Sequence, residues 1–514
     1  MDTSSLTFKT LKNASYNIVG YVWPMALALF VTPVIVLTLG AKEYGIYLFV
    51  NNIISLFGLL EFGITTAATK HISHYHAQGN TDAIERTVRS TNSLFLIIAT
   101  VGLALSIGIA IAGPALLPSQ FEAYAPYAWL FVWSGIVFFF SAILMTYSAT
   151  LNALQRYDIS VKIGMVFLTA SSLSALAVVL AGGGLRGIFM SQIVITALSS
   201  LVTYLCAKSI LPATKYGIGW DRTAIKESYS FGLFLSLNNI ATSISRSATN
   251  LIIPFFAGPT NLTYFGMAQT VAQKIPGVSN ALGNSLFPMA SQLHGANNHG
   301  GIAVLYKRSS RLIALIAAAL STTAAAFAYK ALYYWLDPTF ADKAAPILVI
   351  LAVAHFVLAL YGPLSNFLLG IGKLKFVTVS SVIMAVLSVI FLFVLMPRFG
   401  IMGAAWAQTL SLLPVIYMFY YTERHYLSLA GTGRRKHHFR QAFGILVTST
   451  IVWLIDTYLF MPLANSLTAV LTLGAISGIL YIGLYKLLGF FEEEDWRDLS
   501  RFALFVFKRK PNAR

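Results

Sequence analysis

The sequence predicts an all-α polytopic membrane protein with about 14 transmembrane helices. Of its 514 residues, 57% are hydrophobic and only 10% are charged, whereas a soluble domain has about 25% charged residues. The apolar runs are about 20 residues or longer, the length of a helix that crosses a bilayer core of about 30 Å. In lipid, only helices or a closed barrel satisfy the backbone hydrogen bonds. Because barrel strands would alternate over about 10 residues, the longer apolar runs predict helices.

The predicted spans follow these apolar runs and are joined by short loops. The first run is too long for a signal-peptide core, so we expect it to be retained as a helix. The spans are predicted at 14–39, 44–68, 91–117, 126–151, 161–181, 185–211, 229–257, 261–290, 312–336, 345–371, 376–396, 402–422, 442–460 and 467–489. Cys206, the single cysteine, lies in the sixth span, so a disulfide framework is excluded.

The basic residues predict the orientation. Of the 35 Lys and Arg residues, 28 fall on one side of the membrane, and only Lys42, Arg186, Lys343 and Arg398 fall on the other. Because cytoplasmic loops carry the excess of Lys and Arg, both termini are predicted to be cytoplasmic. The net charge of +17 is then a topological signal, and no nucleic-acid partner is expected. The tail after residue 486 is interpreted as an amphipathic interfacial helix, with a solvated tail as the alternative.

An internal repeat predicts the domain organisation. The pattern of Gly184, Gly187 and Gln192 returns 216 residues later as Gly400, Gly403 and Gln408. Tyr44 is echoed by Tyr264, and HAQGN at 76–80 is echoed by HGANN at 294–298. We therefore predict an N-terminal six-helix lobe at 1–215, a C-terminal six-helix lobe at 216–425, and two additional helices with the tail at 426–514. Parallel repeats of this kind are a transporter design, with the substrate site between the halves.

Polar and cationic residues within the spans are the candidate substrate-binding residues. Arg246 lies midway along span 7, on one helical face with Asn239, Ser243 and Asn250. Span 8 carries a stripe of Gln269, Gln273, Asn280 and Asn284 with Lys274 beside it. Pro276 and Gly277 are expected to interrupt the helix just beyond Lys274. A charge at the bilayer centre costs at least about 2.5–3.5 kcal/mol. These residues form either an anion-binding wall or hydrogen-bonding contacts between helices.

Other ionisable residues within the spans have more than one interpretation. Glu61, in the cytoplasmic half of span 2, is a proton or cation coupling site, or the charge partner of Arg246 or Lys274. Asp456 and Lys330 are expected at the outer membrane interface, and His355 is expected to be a packed histidine.

The sequence contains no P-loop, His-Glu-x-x-His, Cys pair or nucleophile elbow, so we predict no enzyme activity, catalytic residue, metal or cofactor.

A family resemblance is carried by LGAKEYGIYLFVNNIISLFGLLEFGITTAATKHIS at 39–73, with LNALQRYDIS at 151–160 and the later motif from Gly184 to Gln192. Across spans 1–12 the chain resembles the Wzx-type polysaccharide flippases of the multidrug/oligosaccharidyl-lipid/polysaccharide exporter superfamily. The resemblance implies two lobes that form a V around a central cavity. It also implies alternating access that moves an undecaprenyl-pyrophosphate-linked oligosaccharide from the inner to the outer leaflet.

The resemblance further implies a bacterial inner-membrane location and a set of partners. Arg246 and Lys274 would contact the headgroup, and the polar stripes would contact sugar. The expected partners are the lipid-linked oligosaccharide and membrane lipid, with a polysaccharide polymerase and a chain-length regulator as further candidates. Proton or sodium coupling is allowed but not required.

Three alternatives remain open at this stage. Lipid II flippases share 14 spans and cationic cavities, although here span 1 contributes no cation. A cation-coupled multidrug exporter of the same superfamily should favour acidic cavities. A polymerase or ligase would need large periplasmic loops, and here the outer loops are about a dozen residues or shorter by the span limits.

Overall fold

The computed structural model describes residues 3–61, 63–116, 125–212, 214–283, 286–426 and 434–491. Within these ranges the regular elements are all helical. The predicted interfacial helix of the tail lies outside the described residues. The chain divides into two compact units, Met1–Thr263 and Tyr264–Arg514. The predicted lobe boundaries at 215 and 425 follow the sequence repeat and stay a prediction.

The described residues of the first unit form seven α-helices and one 3₁₀ turn. They are α1 (Thr3–Phe57), a 3₁₀ turn (Gly58–Glu61), α2 (Ile64–Ala77), α3 (Thr81–Leu116), α4 (Trp129–Ala153), α5 (Tyr157–Leu180), α6 (Gly184–Ile210) and most of α7 (Arg222–Ala272). Helix α4 packs against α3 and α6, and α5 packs against α1 and α6. Ile64, Phe95 and Phe138 are buried together in the centre of this unit.

The second unit is organised around one long helix, α12 (Pro338–Gly370). The other elements of this unit are α8 (Lys274–Gly283), α9 (Leu286–Gly295), α10 (His299–Ala326), α11 (Ala328–Trp335), α13 (Leu374–Leu410), α14 (Leu413–Tyr426), α15 (Arg434–Ile455), a π-helical turn (Asp456–Phe460) and α16 (Leu467–Leu487). Helix α12 packs against α8, α9, α10, α11 and α13. The last pair, α15 and α16, pack on each other and on α10.

Three of the long helices contain a sharp turn at a glycine. Helix α1 has 55 residues, which would extend about 80 Å if it were straight. Gly40 has φ 80°, Gly258 in α7 has φ 79° and Gly400 in α13 has φ 55°. Glycine adopts positive φ without steric cost, so the chain can reverse there. These three turns coincide with the predicted boundaries between spans 1 and 2, 7 and 8, and 11 and 12.

The helices agree with the predicted spans. Ten helical stretches of the described residues are long and apolar enough to cross a membrane. Two of them, Trp23–Glu61 with 39 residues and Leu374–His425 with 52 residues, are long enough for two crossings each. Predicted spans 7 and 8 lie along α7, α8 and α9. Large apolar side chains such as Ile479, which is 73% exposed, cover the outer surface. The predicted fold class, an all-α polytopic membrane protein, is confirmed.

The backbone repeats at one of the sequence echoes, HAQGN at 76–80 and HGANN at 294–298. Gly79 and Asn297 lie 218 residues apart in the two echoed segments, and both have positive φ. The next residue in each copy caps the following helix, because Asn80 Oδ1 accepts from Ala83 N at 3.0 Å and Asn298 Oδ1 accepts from Gly301 N at 2.8 Å. The short echo therefore encodes the same turn and the same N-cap twice.

Candidate functional site

The polar face predicted on span 7 lies on α7, and one of its members contacts span 2. Asn250 Nδ2 donates to Asn52 Oδ1 at 3.0 Å, and Asn52 Nδ2 donates to the Leu48 carbonyl at 2.8 Å. Asn250 Oδ1 is buried and has no hydrogen-bond partner among the described residues. Ser243 is half-buried, whereas the side chains of Asn239 and Arg246 lie outside those described. Asn52 was not among the predicted site residues.

Close packing holds this amide pair in place. The rings of Phe49 and Phe255 meet edge to face, with centroids 6.4 Å apart. Thr263 Oγ1 donates to the Ala41 carbonyl at 2.6 Å. A side chain at Gly45 would collide with the Pro259 carbonyl, so only glycine permits this backbone approach. The second half of α1 and the C-terminal half of α7 are therefore packed tightly on both sides of Gly258.

Glu61 lies at a break in span 2. The 3₁₀ turn Gly58–Glu61 ends there, and α2 begins at Ile64 after Gly63, whose φ is 72°. Glu61 Oε1 accepts from the Thr65 backbone N–H at 3.3 Å. A carboxylate at a helix N-terminus satisfies a free N–H group and interacts favourably with the helix dipole. Glu61 thus stabilises the break in this structure, and its predicted roles in coupling or charge pairing stay predictions.

Lys274 lies at a second break, in span 8. Helix α7 ends at Ala272 and α8 begins at Lys274, so Gln273 occupies the turn between them. The prediction of an interruption beyond Lys274, at Pro276, is wrong. A proline ring clashes with the carbonyl four residues earlier, which here belongs to Ala272, so a break caused by Pro276 falls before the proline and not after it.

The break divides the stripe predicted along span 8. Gln269 is 6% exposed and belongs to α7, whereas Gln273 is exposed in the turn. Lys274 is half-buried at the start of α8, whose first turn contains no acidic residue. The side chain of Asn280 lies outside those described, and Asn284 lies outside the described residues. The stripe is therefore not one continuous helical face.

The first unit contains a neutral polar cavity of about 350 Å³ between α1, α5 and α6. Its polar lining includes Tyr44, Tyr47, Ser171 and Gln192. The Gln192 Oε1 atom is buried without a hydrogen-bond partner in the part of the chain that the structure describes, and so is Gln408 Oε1 at the repeat-related position. Because the lining carries no charge, this cavity can hydrogen-bond hydroxyl groups or water but cannot neutralise an anion.

The second unit contains an apolar groove of about 820 Å³ between α10, α12 and α15. Ala318, Val353, Phe356, Leu446 and Trp453 are representative of its lining. Ser321, Thr322, Ser449 and Thr450 are its principal polar members. A groove of this composition suits a hydrocarbon chain rather than a charged headgroup.

Asp456 is buried by neighbouring helices, and the expectation that it lies near the outer membrane interface stays a prediction. It is 1% exposed and accepts a hydrogen bond from Ser477 Oγ at 2.7 Å. Helices α10 and α16 cover it, which the hydropathy of span 13 alone does not reveal. Lys330 is half-buried on α11 beside the Tyr334 ring, at 5.6 Å from its centroid. His355 is buried with Nδ1 2.8 Å from the Leu351 carbonyl, a packed histidine as expected.

Comparison with solved structures identifies the class of fold. The chain is similar to the lipid II flippase MurJ in an inward closed conformation, with a TM-score of 0.71, 12% identity, and coverage of 94% of this chain and 99% of that chain. It is also similar to an inward-facing multidrug resistance MATE family transporter of the MOP superfamily, with a TM-score of 0.60, 15% identity, and coverage of 81% and 99%. The protein therefore has the fold of the MOP-superfamily transporters.

Sequence comparison identifies the family. Residues 36–340 match the family described as "Polysaccharide biosynthesis protein", and the chain belongs to that family. A protein of Escherichia coli (strain K12) named "Putative O-antigen transporter" is 25% identical over 373 residues, covering 70% of this chain and 83% of that protein. The "Uncharacterized membrane protein MJ1068" of Methanocaldococcus jannaschii is 21% identical over 412 residues, covering 77% and 80%. The predicted resemblance to Wzx-type flippases is confirmed.

Proposed function

We propose that this protein is a flippase for an undecaprenyl-pyrophosphate-linked oligosaccharide repeat unit. It moves the lipid from the inner to the outer leaflet of a bacterial inner membrane, with both termini in the cytoplasm. The product serves the synthesis of a surface polysaccharide such as O-antigen, exopolysaccharide or capsule. The family membership supports a role in polysaccharide synthesis, and the following observations support the substrate class.

The position of Lys274 carries the proposal. A lysine at the N-terminus of a helix faces the positive end of the helix dipole, where cations are unfavourable. No acidic residue in the first turn of α8 compensates for this, and Lys274 is half-buried within a span. The free N–H groups of a helix start and an ammonium group together favour an anion. A pyrophosphate headgroup provides that anion.

The other polar residues suit the remaining parts of a headgroup. Arg246 on α7 is proposed as the second cation for the pyrophosphate. Asn239, Ser243, Asn250, Gln269, Gln273 and Asn280 are proposed as sugar contacts. Amides and hydroxyls donate and accept hydrogen bonds in a neutral environment, as sugar hydroxyls require.

The apolar groove of the second unit suits the lipid part of the same substrate. It is open along α10, α12 and α15 and is lined mainly by Ala, Val, Leu and Phe side chains. Because lipid tails are as apolar as this lining, a polyprenyl chain can move between the bilayer and the groove at little cost in free energy. We propose that the groove guides the polyprenyl chain while the headgroup passes.

The membrane potential can drive transport in this direction without ATP, provided that both charges of the pyrophosphate cross. One elementary charge that crosses about 100 mV changes in free energy by about 2.3 kcal/mol. An inside-negative potential therefore favours outward movement of a doubly charged pyrophosphate by about 4–5 kcal/mol.

A lipid extraction tests the substrate. Cells that lack this protein are extracted, and undecaprenyl-linked intermediates are measured by mass spectrometry. We expect one complete oligosaccharide-pyrophosphate lipid to accumulate, and the plasmid-borne gene should remove it. Accumulation of lipid II instead would indicate a peptidoglycan-precursor flippase. No accumulation, together with new sensitivity to cationic drugs, would indicate a multidrug exporter.

A further inference from the structure

A buried carboxyl group lies between the C-terminal helix pair and α10. Asp456 is 1% exposed, on the π-helical turn Asp456–Phe460. Its Oδ2 atom accepts from Ser477 Oγ at 2.7 Å, and Ser477 Oγ is 3.1 Å from Thr323 Oγ1. Its Oδ1 atom is buried and has no hydrogen-bond partner in the described part of the chain. Among the described residues, the Ser477 hydroxyl is therefore the one side-chain group that hydrogen-bonds the Asp456 carboxyl group.

The charged groups on the surrounding helices are distant along those helices or occupied elsewhere. On α15 the last of them before Asp456 is Arg440, 16 residues earlier, which is about 24 Å of helix. On α10, Lys307, Arg308 and Arg311 lie at least 12 residues before Thr323, which is about 18 Å of helix. On α16, Lys486 follows Ser477 by nine residues, about 13 Å. Lys330 on α11 lies over the Tyr334 ring. The Tyr481 hydroxyl donates to the Ile445 carbonyl and lies 3.0 Å from Ser449 Oγ.

These surroundings favour the neutral form of the carboxyl group. An ionised carboxylate that is taken out of water costs several kcal/mol, and one hydrogen bond to a charged group returns about 1.5–3 kcal/mol. Protonation of one carboxylate oxygen removes the charge. We propose that Asp456 is a proton-binding site, protonated in this conformation, that releases its proton when the helix pair moves and water reaches it. Where transport is concerned, this rests on the proposed flippase function.

The neighbouring residues include further hydroxyl groups, beginning at Thr322, which precedes Thr323 in the chain. A second row of hydroxyls, Thr322, Ser449 and Tyr481, connects the same three helices at 3.0 Å per contact. Thr322 and Ser449 line the groove of the second unit. A π-helical turn is a local departure from α-helix geometry that is common at functional sites. We expect Asp456 to exchange its proton by way of these hydroxyls and the groove when the helix pair moves, and this exchange would couple the proton gradient to transport.

The first test measures protonation directly and needs no substrate. Purified full-length protein in lipid nanodiscs is titrated by infrared spectroscopy, and the spectrum of Asp456→Asn is subtracted from that of the wild type. We expect a protonated-carboxyl band at neutral pH that is absent in Asp456→Asn and unchanged in Asp82→Asn, which removes an exposed carboxyl group. A band that is missing at neutral pH in the wild type would show an ionised Asp456 and overturn the proposal.

A second variant covers the case in which Asp456→Asn does not fold. Ser477→Ala removes the hydroxyl that donates to Asp456 and leaves the carboxyl group in place. We expect the band to shift in frequency while its intensity at neutral pH remains. An unchanged frequency would assign the band to another carboxyl group and would contradict the proposal.

The coupling is tested in cells that depend on a plasmid copy of the gene. We expect Asp456→Asn, at normal membrane abundance, to lower surface polysaccharide at least tenfold and to abolish its dependence on external pH. Export equal to the wild type, with the same pH dependence, would make Asp456 a structural hydrogen-bond acceptor only. If the wild-type gene itself restores no polysaccharide, the proposed function fails, whereas the infrared result still decides whether the proton site exists.

Discussion

At the scale of single residues, Lys274 gives the sharpest prediction about transport. Replacing it with alanine removes the charge at the start of α8 but keeps a good helix former there. A hydrogen bond to a charged group is worth about 1.5–3 kcal/mol, so we expect export of the lipid-linked substrate to fall about ten- to hundredfold. Surface polysaccharide in cells with matched membrane abundance is the measurement.

The control for Lys274→Ala is Lys330→Ala, a half-buried lysine on α11 that contacts a tyrosine ring. We expect near-normal export from it, and partial export from Lys274→Arg, which keeps the charge. Normal export from both Lys274→Ala and Arg246→Ala would refute the assignment of the headgroup contacts.

The amide pair of Asn52 and Asn250 makes a prediction about stability. Alanine at either position leaves the other amide without its partner at 3.0 Å. Hydrogen bonds between membrane helices average about 0.6 kcal/mol in double-mutant cycles, with a maximum of about 1.7. We expect a coupling free energy in this range for Asn52→Ala with Asn250→Ala, measured by unfolding in detergent. Strict additivity of the two single changes would mean that the contact does not contribute.

At the scale of elements, the glycine turns that separate consecutive spans are the clearest feature to test. Gly40 has φ 80°, and a Cβ atom added there would have no other heavy atom within 4 Å, so Gly40→Ala introduces backbone strain alone. With ψ 159°, Gly40 lies in a backbone region that is essentially restricted to glycine. An L-residue held there costs about 1–3 kcal/mol, and we expect a loss of stability of about that size. Thermal unfolding of the purified protein measures it.

The matched control for Gly40→Ala lies in the middle of α16. A Cβ atom at Gly478 would also have open space within 4 Å, and the backbone there is helical. Alanine is more stable than glycine in a helix by about 0.5–1 kcal/mol, so Gly478→Ala should raise the stability. If both substitutions lowered the stability, or if neither did, the result would contradict the assignment of strain to Gly40.

The sequence predicted the elements better than the contacts between them. The span boundaries near Gly40, Gly258 and Gly400 follow from hydropathy and glycine placement. The break was predicted beyond Lys274 but lies at Gln273, because a proline disrupts the helical turn that precedes the proline and not the turn that follows. Asn52 has no pattern that distinguishes it from Asn51, and its role depends on Asn250, 198 residues away. The burial of Asp456 similarly depends on packing by α10 and α16.

At the scale of the whole molecule, the proposed amphipathic substrate would account for features that differ between the two units. The first unit contains a neutral polar cavity with an unpartnered amide oxygen at Gln192 among the described residues. The second unit contains Lys274 at a helix start and an apolar groove. A lipid-linked oligosaccharide has hydroxyl groups, a pyrophosphate and a long hydrocarbon chain, and each has a counterpart among these features. A small organic cation would leave the groove and Lys274 without a role.

The groove therefore provides the test of how the lipid chain takes part. Val353 on α12 lines it and is 55% exposed, whereas Val379 on α13 is 56% exposed and is not part of its lining. Tryptophan at Val353 should fill the groove without overpacking a buried core, and we expect export to fall at least tenfold. Val379→Trp places the same ring on another exposed face and should export normally. If the two variants export equally at equal abundance, the chain does not pass through the groove, and the polyprenyl tail must remain in the surrounding bilayer while the headgroup crosses.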